Sequence, residues 1–180
     1  KFAIDPTPRH SYDPAKAKEY LKKAGLDSLA FDLSVADAAF AGAVDSAVLW
    51  KEKAKAAGID INVIKEANDG YWDAVWMKKP WCFSYWSGRP TADWMFTTAY
   101  AAEAAWNDTF WKNDRFNELL LKARAETDDA KRAPMYVEMQ QILHDDGGIV
   151  ATQFQRQPLE RWRCAFHHPA SGCGRTGEAD

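Results

Sequence analysis

The chain has 180 residues, 47% of them hydrophobic and 27% charged, with 23 Lys+Arg against 26 Asp+Glu for a net charge of −3. That length holds one domain with a sizeable core, two at most, and the composition excludes wholesale disorder. No apolar run reaches the roughly 18 residues of a membrane helix, the mild acidity argues against nucleic-acid binding as the main task, and three cysteines are too few for a disulfide scaffold.

The opening KFAIDPTPRHSYDP carries no signal sequence and reads as polypeptide already under way, so the expectation is a piece of a longer protein. Residues 1–12 are expected to be an extended entry. Asp13-Pro14 then starts a helix, because Asp caps free amides and Pro suits the first helical position. Gly25 ends it in a left-handed stop. Residues 29–35 alternate apolar and polar side chains and predict a strand. Residues 38–57 predict a helix closed by Gly58, and 59–66 a second strand with Ile59, Ile61 and Val63 on one side. This helix, strand, helix, strand order predicts an α/β layer.

A short helix is expected over 69–78. Residues 81–86 (WCFSYW) read as a buried strand, and 87–90 (SGRP) as a turn. A helix is expected over 91–101. Phe116, Leu119, Leu120 and Ala123 form the cleanest helical stripe, and Met135, Met139, Ile142 and Leu143 a second. Thr127 or Asp128 caps the latter helix, while Pro134 bends it or marks a late start. Gly147-Gly148 ends it, and 149–154 is a last strand candidate. After about residue 155 no period is sustained.

No HExxH, GxSxG, Walker or GxGxxG motif occurs, so no catalytic residue, cofactor or metal is expected. His144-Asp145-Asp146 reads as a solvated helix end, because consecutive helical residues point about 100° apart and rarely converge on one ion. Cys164, His167, His168 and Cys173 match no zinc spacing. The strongest signal is aromatic. Seven of nine tryptophans (Trp72, Trp76, Trp81, Trp86, Trp94, Trp106, Trp111) crowd into forty residues around the 87–90 turn. Trp76 and Trp81 are expected in the core. The others could form a stacking surface at a strand end, where α/β folds place binding groups.

Four stretches in this order resemble bacterial extracellular solute-binding proteins of family 5, the dipeptide and oligopeptide receptors of ABC importers. They are YDPAKAKEYLKKAGL (12–26), KAAGIDINVIKE (55–66), YWSGRPTADWMF (85–96) and NDRFNELLLKARAETDDAKRAPMYVEMQQILHDD (113–146). The resemblance covers roughly residues 10–154. It implies one lobe of a periplasmic-binding-protein-like fold, a mixed sheet flanked by helices. Residues 1–154 would be the C-terminal lobe of a two-lobe receptor and 155–180 an irregular tail. It further implies a non-enzymatic, periplasmic protein that holds a peptide or other small solute in a cleft between lobes and docks on ABC permease subunits, with no nucleic-acid partner. Tyr85, Trp86, Ser87, Gly88 and Arg89 are then expected to face the cleft, with Trp94 beside them.

Peptide-binding members of the family carry an Asp where Arg89 stands, to pair with the ligand's amino terminus. Arg89 either pairs with Asp93, four residues on, or offers a forked donor to an anionic group. Two other classes make different predictions. A Trp-rich carbohydrate-binding or glycoside-hydrolase module needs exposed aromatics in a row and a carboxylate pair such as Asp93 and Glu103. A structural interaction domain needs all seven central tryptophans buried.

Overall fold

The computed structural model describes residue 2 and residues 11–150. Its elements begin with α1 (Pro14–Lys23), β1 (Leu29–Val35), α2 (Ala43–Lys55) and β2 (Ile59–Lys65). They continue with α3 (Tyr71–Ala74), α4 (Ala92–Met95), a π-helical turn (Phe96–Tyr100), α5 (Asp114–Ala125) and α6 (Asp129–Asp146). The α/β expectation holds. The sheet among the described residues is two-stranded and parallel rather than mixed, with Leu29 opposite Ile59 and Val35 opposite Lys65. Parallel neighbours need a crossover, and α2 supplies it.

The local signals of α1 act as read. Asp13 accepts from the Lys16 amide at 2.9 Å, and Pro14 opens the helix. Gly25 closes it at φ 75°, while the Leu26 amide reaches back to the Leu21 carbonyl at 2.9 Å. The start of α2 is five residues later than the periodicity predicts. Gly42 sits at φ 80°, which a right-handed helix cannot pass through. The Asn68 side chain takes the Ala38 amide at 3.0 Å and holds the preceding segment in turns. Likewise α3 is four residues rather than ten, with Gly70 left-handed before it and Met77 at φ 58° after it.

The predicted strand at 81–86 is corrected to a single parallel bridge between Ser34 and Cys82. The Ser34 amide donates to the Trp81 carbonyl and the Phe83 amide to the Ser34 carbonyl, both at 3.1 Å. The ladder stops there because the buried Tyr71 hydroxyl lies against the Phe83 carbonyl at 2.7 Å and the Ser34 carbonyl at 3.2 Å. The side chain stands at the acceptor the next rung would use. Ser34 is buried although its neighbours Leu33 and Val35 are too, and its hydroxyl donates to Glu66 at 2.8 Å.

The expected helix at 91–101 divides. Thr91 caps α4 by accepting from the Trp94 amide at 3.2 Å, and the chain then widens into the π-helical turn. There the hydroxyls of Thr97 and Thr98 donate to carbonyls four residues back, at 2.8 and 2.7 Å, a contact that loosens helical geometry. In α6, Asp128 is the cap, accepting from the Ala130 amide at 2.9 Å. The helix runs on across Pro134, so the late start is corrected. Ile149 and Val150 form no strand. Residues 151–154 of that expected strand, and the whole 155–180 tail with Cys164, His167, His168 and Cys173, lie outside the described residues.

Two apolar cores result. One joins the sheet, α2, Tyr71, Val75 and Phe83. The other joins Phe96 to α5 and α6, using the two stripes read from sequence. Replacing Tyr71 by Phe leaves the Phe83 carbonyl buried without this hydroxyl. The expected loss is about 1–3 kcal/mol of unfolding free energy in urea titration, with the parallel sheet retained by circular dichroism.

Candidate ligand-binding surface

After Phe83 the chain leaves the sheet and enters the 84–89 loop. The loop and the α3 segment form a concavity of about 310 Å³ lined by Trp72, Trp76, Ser84, Tyr85, Ser87 and Arg89. Tyr71 and Val75 point into the core, and Trp72 and Trp76 stand on another side of the same turn, four residues apart. The aromatic rings form an unbroken chain, edge-to-face at Trp72–Tyr85, Trp72–Trp76 and Trp76–Trp86 and tilted at Trp86–Trp106. Trp72 meets Tyr85 at 5.5 Å and Trp76 at 6.2 Å between centroids, Trp76 meets Trp86 at 6.5 Å, and Trp86 meets Trp106 at 6.2 Å. These separations fall in the attractive range for aromatic pairs.

Asp108 holds this wall from behind. One carboxylate oxygen accepts both indole N–H groups, from Trp76 at 2.9 Å and from Trp86 at 3.1 Å. The acceptor is 32 and 22 residues away in sequence, so no local signal announces it. Tyr100 and Cys82 feel the same carboxylate. Burial first, and Asp108 second, push the Tyr100 phenol up to about 12 and raise the Cys82 thiol above 9.0. Burial also raises the Tyr71 phenol well above 10.0.

The six residues expected at a site are not all brought together. Tyr85, Ser87 and Arg89 line the concavity, with Tyr85 58% exposed. Trp86 is half-buried and braces Trp76 from the side. Gly88 is exposed and lines neither this concavity nor the second one described below, and the same holds for Trp94. Trp72, one of the tryptophans expected in a stacking surface, joins them, and Trp76 and Ser84 do so without having been singled out for it. The assignment of Trp76 and Trp81 to the core is corrected: Trp76 is part of the wall, and Trp81 is 36% exposed, tilted on Phe31 at 4.1 Å. Trp94 and Trp106 are more than half exposed, against the structural-domain alternative.

The suggested Arg89–Asp93 pair does not form. Asp93 is taken by Arg124, Nε at 3.0 Å and Nη2 at 3.1 Å, and by the Tyr136 hydroxyl at 3.0 Å. That cluster lines a second concavity of about 420 Å³ with Phe2, Thr91 and Arg132. Glu103 pairs with Lys112 at 3.3 Å. Each of the two carboxylates singled out for a glycosidase is thus paired with its own cation.

A parallel β-α-β layer joined to a paired-helix core, with an aromatic wall after the segment that bridges to β1, defines one class: a lobe of the periplasmic-binding-protein fold. The sequence model of bacterial extracellular solute-binding proteins, family 5 Middle, matches residues 1–108, and the chain belongs to that family. Similar solved structures include the ABC transporter-associated periplasmic binding protein DppA from Helicobacter pylori in complex with the peptide STSA. It shares 25% identity at a TM-score of 0.68, over 78% of this chain and 28% of that one. NikZ from Campylobacter jejuni in complex with Ni(L-His) shares 18% at 0.66, over 78% and 32%. The oligopeptide-binding protein AppA from Bacillus subtilis in complex with a nonapeptide shares 20% at 0.64, over 81% and 32%. The chain thus spans less than a third of these proteins' length. Comparison with curated proteins returns no match.

Two predictions follow from the wall's geometry. Asp108→Ala removes a charged acceptor from two indoles, so about 2 kcal/mol of stability is lost. The indole N–H signals of Trp76 and Trp86 move upfield in NMR while that of Trp50 stays. For pH, the unfolded chain gives up the Cys82 and Tyr100 protons from about 9.0 and 10.0, whereas the folded chain keeps them longer, to about 12 for Tyr100. Unfolding therefore releases protons, and stability is intact below about 9 and falls as pH rises through that window. Tyr100→Phe flattens the fall between 10 and 12 in thermal melts followed by circular dichroism.

Proposed function

We propose that residues 1–154 are the C-terminal lobe of a two-lobe, non-enzymatic receptor that delivers a peptide or other small organic solute to an ABC permease outside the cytoplasm. The wall of Trp72, Trp76, Tyr85, Trp86, Ser87 and Arg89 is this lobe's face of the ligand cleft, with Gly88 at the loop's tip and Trp94 beside it. The observation that carries the reading is the Asp108-braced aromatic wall, exposed on one side of the loop that follows Phe83. Family membership supports the receptor class, and the peptide complexes of the similar DppA and AppA structures support the solute class. Among the described residues no helix is long and apolar enough to cross a membrane.

Closure of a second lobe over this wall would remove the ligand from water and lock the hinge. A single lobe makes only part of those contacts, so its affinity is expected on the order of millimolar. Titrating the 180-residue chain with short peptides should shift the indole N–H signals of Trp72, Trp76 and Trp86 and leave Trp50 and Trp111 unmoved. Shifts spread over all tryptophans, or none, would remove this wall as the binding face.

A further inference from the structure

The polar groups along the wall share one property. Among the described residues the hydroxyls of Ser84, Tyr85 and Ser87 and the indole N–H of Trp72 have no hydrogen-bond partner. Arg89 uses only Nη1, which donates to the Ser87 carbonyl at 3.0 Å. That bond fixes the guanidinium beside the Trp86 ring, 5.9 Å from its centroid, and leaves the Nε and Nη2 edge unengaged. Among the described residues no carboxylate lines the concavity. Asp108 is committed to the two indoles, and Asp93 to Arg124 and Tyr136. Arg89 is therefore a cation with no acidic partner among the described residues, on a wall whose other free polar groups can all donate. Stacking on Trp86 keeps its charge while stripping part of its hydration.

We propose that this surface selects a solute bearing a carboxylate, which docks on the Nε and Nη2 edge of Arg89 with its apolar part against Trp72 and Tyr85. The proposal rests on the receptor reading above and names the ligand class of that same wall. The planar fork of a guanidinium matches a carboxylate with two parallel hydrogen bonds, and a ligand ammonium would meet repulsion there. The neighbouring serine hydroxyls and the Trp72 N–H add donors for the outer lone pairs of the same group.

Three probes separate the possibilities on the 180-residue chain, followed through tryptophan indole signals. They are acetyl-Ala-Ala with a free carboxylate, its neutral amide acetyl-Ala-Ala-NH2, and the cationic Ala-Ala-NH2. The free carboxylate is expected to bind roughly tenfold more tightly than either amide, the gain of one charge-assisted pair on a partly exposed surface. Arg89→Ala should erase that preference while the ligand-free indole signals of Trp72 and Trp76 stay in place and only that of Trp86, which loses the guanidinium beside its ring, moves. Arg89→Lys, which keeps charge without the fork, should leave part of the preference. Equal binding of the amides, or a preference that survives Arg89→Ala, overturns the carboxylate assignment and leaves the receptor reading standing. Failure of all three probes to move any indole of the wall overturns the receptor reading, and the carboxylate assignment falls with it.

Discussion

The fold of the aromatic wall depends on one buried phenol. Tyr71 lies almost fully out of water, and its hydroxyl contacts two backbone carbonyls from different segments. A carbonyl buried without a donor is costly, so this position fixes both chain paths together. It ties the end of β1 to Phe83, ends the strand ladder after one bridge, and releases residues 84–89 as a loop. Where the aromatic wall stands follows from where that release happens.

The same short turn has two faces with opposite tasks. Tyr71 and Val75 fill the core, while Trp72 and Trp76 stand outward and begin the aromatic wall. Large rings exposed to water gain little by themselves. They hold position here through ring edges meeting ring faces and through Asp108, whose carboxylate spans the interval between the α3 segment and the loop. A wall fixed before the ligand arrives loses less side-chain freedom on binding. Among the described residues Arg89, the cation lining this concavity, has no acidic partner, and the proposed carboxylate preference is drawn from that.

Much of the frame was legible in the chain itself. Asp13-Pro14 and Gly25 bound α1 because caps and left-handed stops act over four residues. The stripes of α5 and α6 mark the second core because a helix repeats every 3.6 residues. Family likeness was legible from four stretches in order, and the solute-binding family match over residues 1–108 agrees with them. Local pattern failed where a tertiary contact outweighed it. The apolar run WCFSYW has strand composition, yet Tyr71 occupies its next rung. The run from 38 to 57 has helical periodicity, yet Gly42 and Asn68 divide it.

Sequence alone determined the class of layer, most helix limits and the crowding of tryptophan around the 87–90 turn, because each depends on residues within a few positions of one another. Tertiary structure decided which tryptophans form the wall, that Asp108 braces it, and that Asp93 is claimed by Arg124 rather than Arg89. Those partners lie 22 to 32 residues apart, and hydrogen bonds at that separation are set by how the two cores bring the chain back on itself. No spacing rule encodes them, since a carboxylate accepts any donor that the fold carries within about 3 Å.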